Sequence, residues 1–216
     1  MCGRIYVKSN GAYEILLAEL GIREPLPTLL NVAPTASIPV IRQSAPGRYS
    51  LDNMRWWLHP AWSPSPPDQN YAMFNARIET VLTSRAFKGP IRKQRSIIPV
   101  DGFIEWKTHG KSKTPYYVNT ADGSPLLFAG IWENWRDQVF SCAIITQPAT
   151  DEFKDIHHRM PLSLTVDQSL EWLDLDGDGS ELISRFSGQS LDLRPQEITS
   201  SINNARNKVE VTFVSN

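Results

Sequence analysis

The sequence predicts an α+β fold: a single compact domain, residues 1–216, on a mainly antiparallel, barrel-like sheet with short helices at its periphery. Two observations point there. Apolar β-type runs crowd the chain between residues 37 and 149, and helical spacing is confined to short stretches on either side of them. A third is compositional: 216 residues that are 41% hydrophobic, without heptads, internal repeats or low-complexity tails, suffice for one sizeable core.

Taken in order, GAYEILLAEL (11–20) carries apolar residues at helical spacing behind the capping candidates Ser9 and Asn10. Pro25 and Pro27 close the segment, so an early surface helix is expected. Strands follow at SIPVIRQ (37–43), RYSLDNMRWWL (48–58), SIIPVDGFIEWK (96–107), TPYYVNT (114–120), PLLFAGIWENW (125–135) and VFSCAIITQPA (139–149). HPAWSPSPPDQN (59–70) is too rich in proline for a central strand and reads as a long exposed loop. Helical signals return near 151–156, in TVDQSLEWLDL (165–175) and near 181–186, and EVTFVS (210–215) reads as a final strand. DLDGDG (174–179) begins like a calcium-binding loop. Its twelfth position is Arg185 where a bidentate Glu is required, so it reads as a polar turn.

Composition narrows the function classes. No basic region precedes an apolar stretch at the start, and no apolar run approaches the roughly 18 residues that span a bilayer, so a cytoplasmic protein is expected, nucleoid-associated if bacterial. Cys2 and Cys142 are far apart with no metal-type spacing, which argues against disulfides and cysteine zinc sites. Cys142 lies in an apolar run and reads as core, as do Trp56, Trp106 and Trp132. Net charge is −1 but uneven: residues 75–114 hold nine Lys or Arg against three acids, and residues 151–200 hold four against eleven. A local basic surface of the kind that meets a phosphate backbone is therefore compatible with near-neutral totals.

Cys2 is the residue of greatest chemical interest. Removal of Met1 would leave an α-amine and a thiol on adjacent carbons, a pair that captures aldehydes. The amine forms an imine and the thiol closes a five-membered thiazolidine. An α-amine titrates at about 7.7–8.0 and a thiol near about 8.5, so both nucleophiles are accessible at neutral pH.

Polar residues recur where packing alone does not demand them, in MCGR, in NVAPT (31–35), in FNARIET (74–80), in VDGFIEWK (100–107) and in DIHHRMP (155–161). The ordered set Cys2, Arg4, Asn31, Pro34, Asn75, Arg77, Glu79, Glu105, His157 and Arg159 resembles the SRAP family (SOS response-associated peptidase), the domain that crosslinks abasic sites in DNA. The likeness runs on through WWLHPAW, the Thr146 region and INNARN (202–207), with one departure: Trp57 stands where the family usually has a glycine before its Leu-x-Pro-x-Trp loop.

The resemblance implies covalent capture of abasic sites in single-stranded DNA through Cys2, with a latent lyase side reaction by β-elimination. Only the open aldehyde of the abasic sugar reacts, so ring opening needs acid–base help. The match assigns the proton shuttle to His157, with His158 as an exposed neighbour, on the premise that a histidine titrates near neutrality. Glu105 relays protons during imine formation, and Asn75 positions the amine or the sugar without adding charge. Arg4, Arg77 and Arg159 are expected to grip phosphates, each with a structural ion pair as the alternative, realistic for Arg77 because Glu79 is near in sequence. Asn31, Pro34, Trp62 and Thr146 are expected to face the lesion or its flanks. No metal or organic cofactor is implied, and a monomer is expected.

Two other readings stand beside this one. An N-terminal cysteine peptidase could use Cys2, Asn75 and His157 on an amide. A non-catalytic single-strand-binding module would keep full function as Cys2→Ala.

Overall fold

A computed structural model describes residues 2–214. In chain order, β1 (Ile5–Val7) is followed by α1 (Gly11–Glu19), β2 (Leu29–Val32), β3 (Ser37–Ala45), β4 (Arg48–Trp56) and β5 (Asn75–Arg77). A single helical turn, α2 (Pro90–Lys93), precedes β6 (Arg95–Val100), β7 (Gly102–His109), β8 (Ser112–Thr120), β9 (Leu126–Trp135) and β10 (Val139–Pro148). Then come β11 (Arg159–Pro161), β12 (Ser163–Leu164), α3 (Val166–Leu173), α4 (Gly179–Phe186) and β13 (Leu193–Glu197).

These strands form two sheets. The smaller is antiparallel throughout, in the order β13-β8-β7-β1-β2. The larger runs β11-β10-β4-β3-β6-β9-β12 and closes partly into a ring, because β9 also pairs with β10 over Val139–Ile144. The predicted α+β class and its mainly antiparallel, barrel-like sheet are thus present. The exceptions to antiparallel pairing are β10 with β4 and β10 with β5, both parallel. One large core, with Trp56, Phe128 and Trp172 fully buried, fills the space under both sheets.

The run 96–107, expected as one strand, is two strands in different sheets. The break falls at Asp101, whose amide donates to Tyr6 O at 2.8 Å and whose carboxylate accepts from Tyr117 Oη at 2.6 Å. Gly102 then passes so close to Tyr117 that a Cβ would stand 2.3 Å from its ring, which only glycine permits.

Other expectations need correction. Residues 151–156 form turns rather than a helix; Phe153 buries its ring against Phe103, centroids 5.9 Å apart, and the chain turns away. The predicted strand 210–215 is reduced, within the described residues, to one bridge between Ile198 and Phe213; Ser215 lies outside them. Trp56 is core, whereas Trp106 and Trp132 are half-buried, Trp106 because its Nε1 donates to the exposed Asn203 and Trp132 because it stacks on Phe140 under Arg42. The 174–179 segment is a polar turn in which Asp178 caps α4, and the carbonyls of Asp174 and Gly177 accept from the buried Arg95 guanidinium.

Candidate active site

The register of β1 on β7 builds the site. Ile5 opposes Phe103 and the Ile104 amide donates to Arg4 O at 2.9 Å, so the residues just before β1 run alongside Glu105. Cys2, fully buried, is held there by Asn75 at the start of β5, whose Nδ2 donates to Cys2 O at 2.8 Å. β5 is placed in turn by its parallel pairing with β10 at Ile144–Thr146. Phe103 and Glu105 alternate onto one face of β7, where Phe103 meets Phe153. The turn carrying Phe153 continues to His157, whose amide bonds back to Phe153 O, and this brings the histidine to the same end of the sheet.

Burial sets the protonation states. It pushes the Glu105 carboxyl up to about 7 against the opposing pull of the positive charge at the chain's amino terminus. It also pushes the Cys2 thiol well above its ordinary value, with the Glu105 charge adding to the rise. His157 is lowered to about 4, by burial first and then by the amino-terminal charge. The expectation that His157 titrates near neutrality is therefore corrected: a half-buried imidazole loses the solvation its cation needs, and the group poised near pH 7 is Glu105. His157 Nδ1 lies 3.0 Å from both the amide and the carbonyl of Arg159, which fixes the ring plane. His158 is exposed and stacks on His157 at 4.3 Å.

Asn75 differs from these titrating groups. Its Oδ1 is buried and has no hydrogen-bond partner among the described residues. A buried amide oxygen left in this way costs on the order of 1–3 kcal/mol, so the site holds an acceptor ready for a donor it does not yet have.

The residues expected at DNA fall into distinct settings. Arg77 is exposed, and Trp62 is 52% exposed with the Arg85 guanidinium 4.1 Å from its ring centroid. The base of the Trp62 loop is fixed by Glu133, which accepts from the Ala61 amide at 2.9 Å, and by Trp135 Nε1 on Ser63 O at 2.9 Å. Pro34 is half-buried beside Thr35, which sits at φ 79°. Arg4 is half-buried; its Nη1 donates to Asn31 Oδ1 at 2.7 Å and Ile202 O at 2.8 Å, and its guanidinium lies 5.5 Å from the Trp106 centroid. Asn31 is fully buried, and its Nδ2 faces the carbonyls of Ile202, Asn204 and Asn207 at 3.1, 3.0 and 2.8 Å. Thr146 is fully buried as well, its carbonyl accepting from Arg159 Nη2 at 2.7 Å.

Sequence reasoning missed the partner of Arg159. Glu79, proximal in sequence to Arg77, pairs instead with Arg159, its two carboxylate oxygens meeting Nη1 and Nη2. No local spacing announces this pair, because it joins the loop after β5 to the start of β11 across β10. INNARN (202–207), part of the family likeness without an expected role, supplies the carbonyls around Asn31, and the next residue, Lys208, donates through Nζ to Asn31 O at 2.9 Å.

The chain is similar to known proteins over most of its length. The family model described as "SOS response associated peptidase (SRAP)" matches residues 1–205. The chain is 32% identical to the Bacillus subtilis protein named "Abasic site processing protein YoaM", over 96% of this chain and 95% of that one. It is 33% identical to the Escherichia coli protein named "Abasic site processing protein YedK", over 84% and 83%. Among solved structures, a Bacteroides thetaiotaomicron protein superposes with a TM-score of 0.78 at 25% identity, covering 93% of each chain.

Proposed function

This chain belongs to the SOS response associated peptidase family, and from that membership we propose that it processes abasic sites by bonding to them through Cys2 after loss of Met1. The substrate is single-stranded DNA, where the lesion is already unstacked and its aldehyde accessible. The observation that carries the reading is the burial of Cys2 beside Glu105, a carboxyl held near pH 7.

The chemistry proceeds in two bond-forming steps. The α-amine of Cys2 adds to the C1′ aldehyde and water leaves, giving an imine. The thiol then adds to the imine carbon, its proton ending on nitrogen, and the five-membered ring closes. A raised thiol pKa means that Sγ carries its proton at neutral pH, so closure needs a base; Glu105, about half ionised there, takes that proton and returns it to nitrogen. His157, neutral at this pH, bonds to the sugar oxygens during ring opening, and Asn75 Oδ1 accepts from the amine or sugar. If the imine instead loses a C2′ proton, β-elimination expels the 3′ phosphate and cleaves the strand, the lyase route. Arg4, Arg77, Arg159 and the Trp62 loop contact the flanking backbone, with Asn31, Pro34 and Thr146 behind them.

Intact mass tests the reading. A protein beginning at Cys2 should gain the mass of an abasic single-stranded oligonucleotide minus one water, and Cys2→Ala should gain nothing. Removal of Met1 without adduct formation would sink the covalent mechanism and make amide substrates the next to test.

A further inference from the structure

The basic residues proposed to meet phosphate are not equally accessible. Arg159 is the most enclosed, its side chain 11% exposed. Both of its terminal nitrogens ride on the Glu79 carboxylate, Nη2 also serves Thr146 O at 2.7 Å, and Nε is buried without a partner among the described residues. The end-on edge of the guanidinium, the one that would present paired donors to a phosphate, is therefore filled. Of the groups holding it, Glu79 is the exposed one, its side chain 45% accessible. A carboxylate and a phosphate offer a guanidinium fork the same pair of oxygens. Glu79 is also firmly anionic, because its bond to Arg159 holds its carboxyl below the usual range.

We propose that Glu79 holds the place of a DNA phosphate on Arg159, and that seating the strand exchanges carboxylate for phosphate on that one guanidinium edge. This rests on the DNA-binding reading above. Without DNA, the exchangeable partner spares the protein an unpaired buried cation. With DNA, Glu79 is displaced toward solvent, its carboxylate recruits a counterion, and the usual gain from counterion release at that phosphate is cancelled.

The test uses single-stranded DNA with a tetrahydrofuran abasic analogue, which has no aldehyde and reports binding alone. Wild type, Glu79→Gln, Arg159→Gln and the double variant are compared by fluorescence anisotropy. Glu79→Gln, close in shape but uncharged, should bind about three- to tenfold tighter, and the gain should vanish when Arg159 is Gln. Affinity unchanged or weakened by Glu79→Gln, or a gain that persists without Arg159, overturns the exchange. Should Arg159→Gln not fold, the salt dependence of Glu79→Gln decides: its log–log slope should steepen by about one, and an unchanged slope overturns the proposal. The two readings fail separately. A wild type that neither binds the analogue nor forms the mass adduct removes the DNA-binding reading, whereas one that does both with no gain in Glu79→Gln removes the exchange alone.

Discussion

Two buried asparagines, Asn31 and Asn75, differ in how completely the protein uses their amides. At Asn31 each end of the amide is used: Oδ1 accepts from Arg4, and Nδ2 faces three carbonyls of the 202–207 segment. The result ties the strand after Cys2 to the last part of the described chain. At Asn75 only Nδ2 is used, on Cys2 O, and Oδ1 is buried without a partner among the described residues. Same residue type, similar burial, opposite bookkeeping. A satisfied amide specifies the fold, while a half-satisfied one stores a binding opportunity at a cost in stability.

Substitutions should separate these regions. Asn31→Ala leaves Arg4 and several carbonyls unanswered inside the protein, and should lower unfolding stability by about 4 kcal/mol in a urea melt. A loss below about 1 kcal/mol there would remove the contrast. Glu105→Gln comes next and is read against pH. A carboxyl raised to about 7 from 4.5 favours the protonated folded state, so its contribution is intact below pH 4.5 and is lost as pH rises through 7. Wild type should lose about 3 kcal/mol across that window that Glu105→Gln keeps; parallel stability curves would contradict it. Crosslinking by wild type should rise with an apparent pKa near 7, absent in the variant.

Asn75→Ala deletes an unpaired acceptor together with the donor to Cys2 O, so it should cost about 1–2 kcal/mol in the melt, well short of Asn31→Ala, yet slow crosslinking about a hundredfold. A large stability loss with normal chemistry would make Asn75 another Asn31. The smallest effect is expected at His157→Gln, about tenfold in rate with the apparent pKa near 7 unmoved, since His157 itself titrates near 4. A shifted pH profile would return the titrating role to the histidine.

Legibility from sequence tracked the range of the interactions. Long apolar, β-type runs such as 37–43, 114–120 and 125–135 announce β3, β8 and β9, because one strand supplies enough residues to stand out from the turns around it. The three-residue strands β1, β5 and β11 give no such signal, yet they deliver Arg4, Asn75 and Arg159; only the family resemblance pointed at those positions. The break at Asp101 depends on Tyr117 across the sheet, and the failed helix at 151–156 on Phe103, neither of which is local. The reversal of titration between Glu105 and His157 was invisible for the same reason: burial is set by strands far away in sequence. The Glu79–Arg159 pair crosses β10 and could not be read from spacing.

β10 carries a consequence for how the protein comes into being. Its first half pairs with β4 and β9, and its second half with β5 and β11, so a single strand late in the chain aligns segments made long before it. Such long-range pairing makes folding slow and late in assembly, because distant segments must meet before any contact compensates the lost chain entropy. During synthesis, Cys2 leaves the ribosome long before the strand that sets Asn75 and the turn bearing His157. Under the proposed chemistry, competence is then coupled to completed folding: a nascent chain carries Cys2 alone, and only the finished domain sets Asn75 and Glu105 beside it.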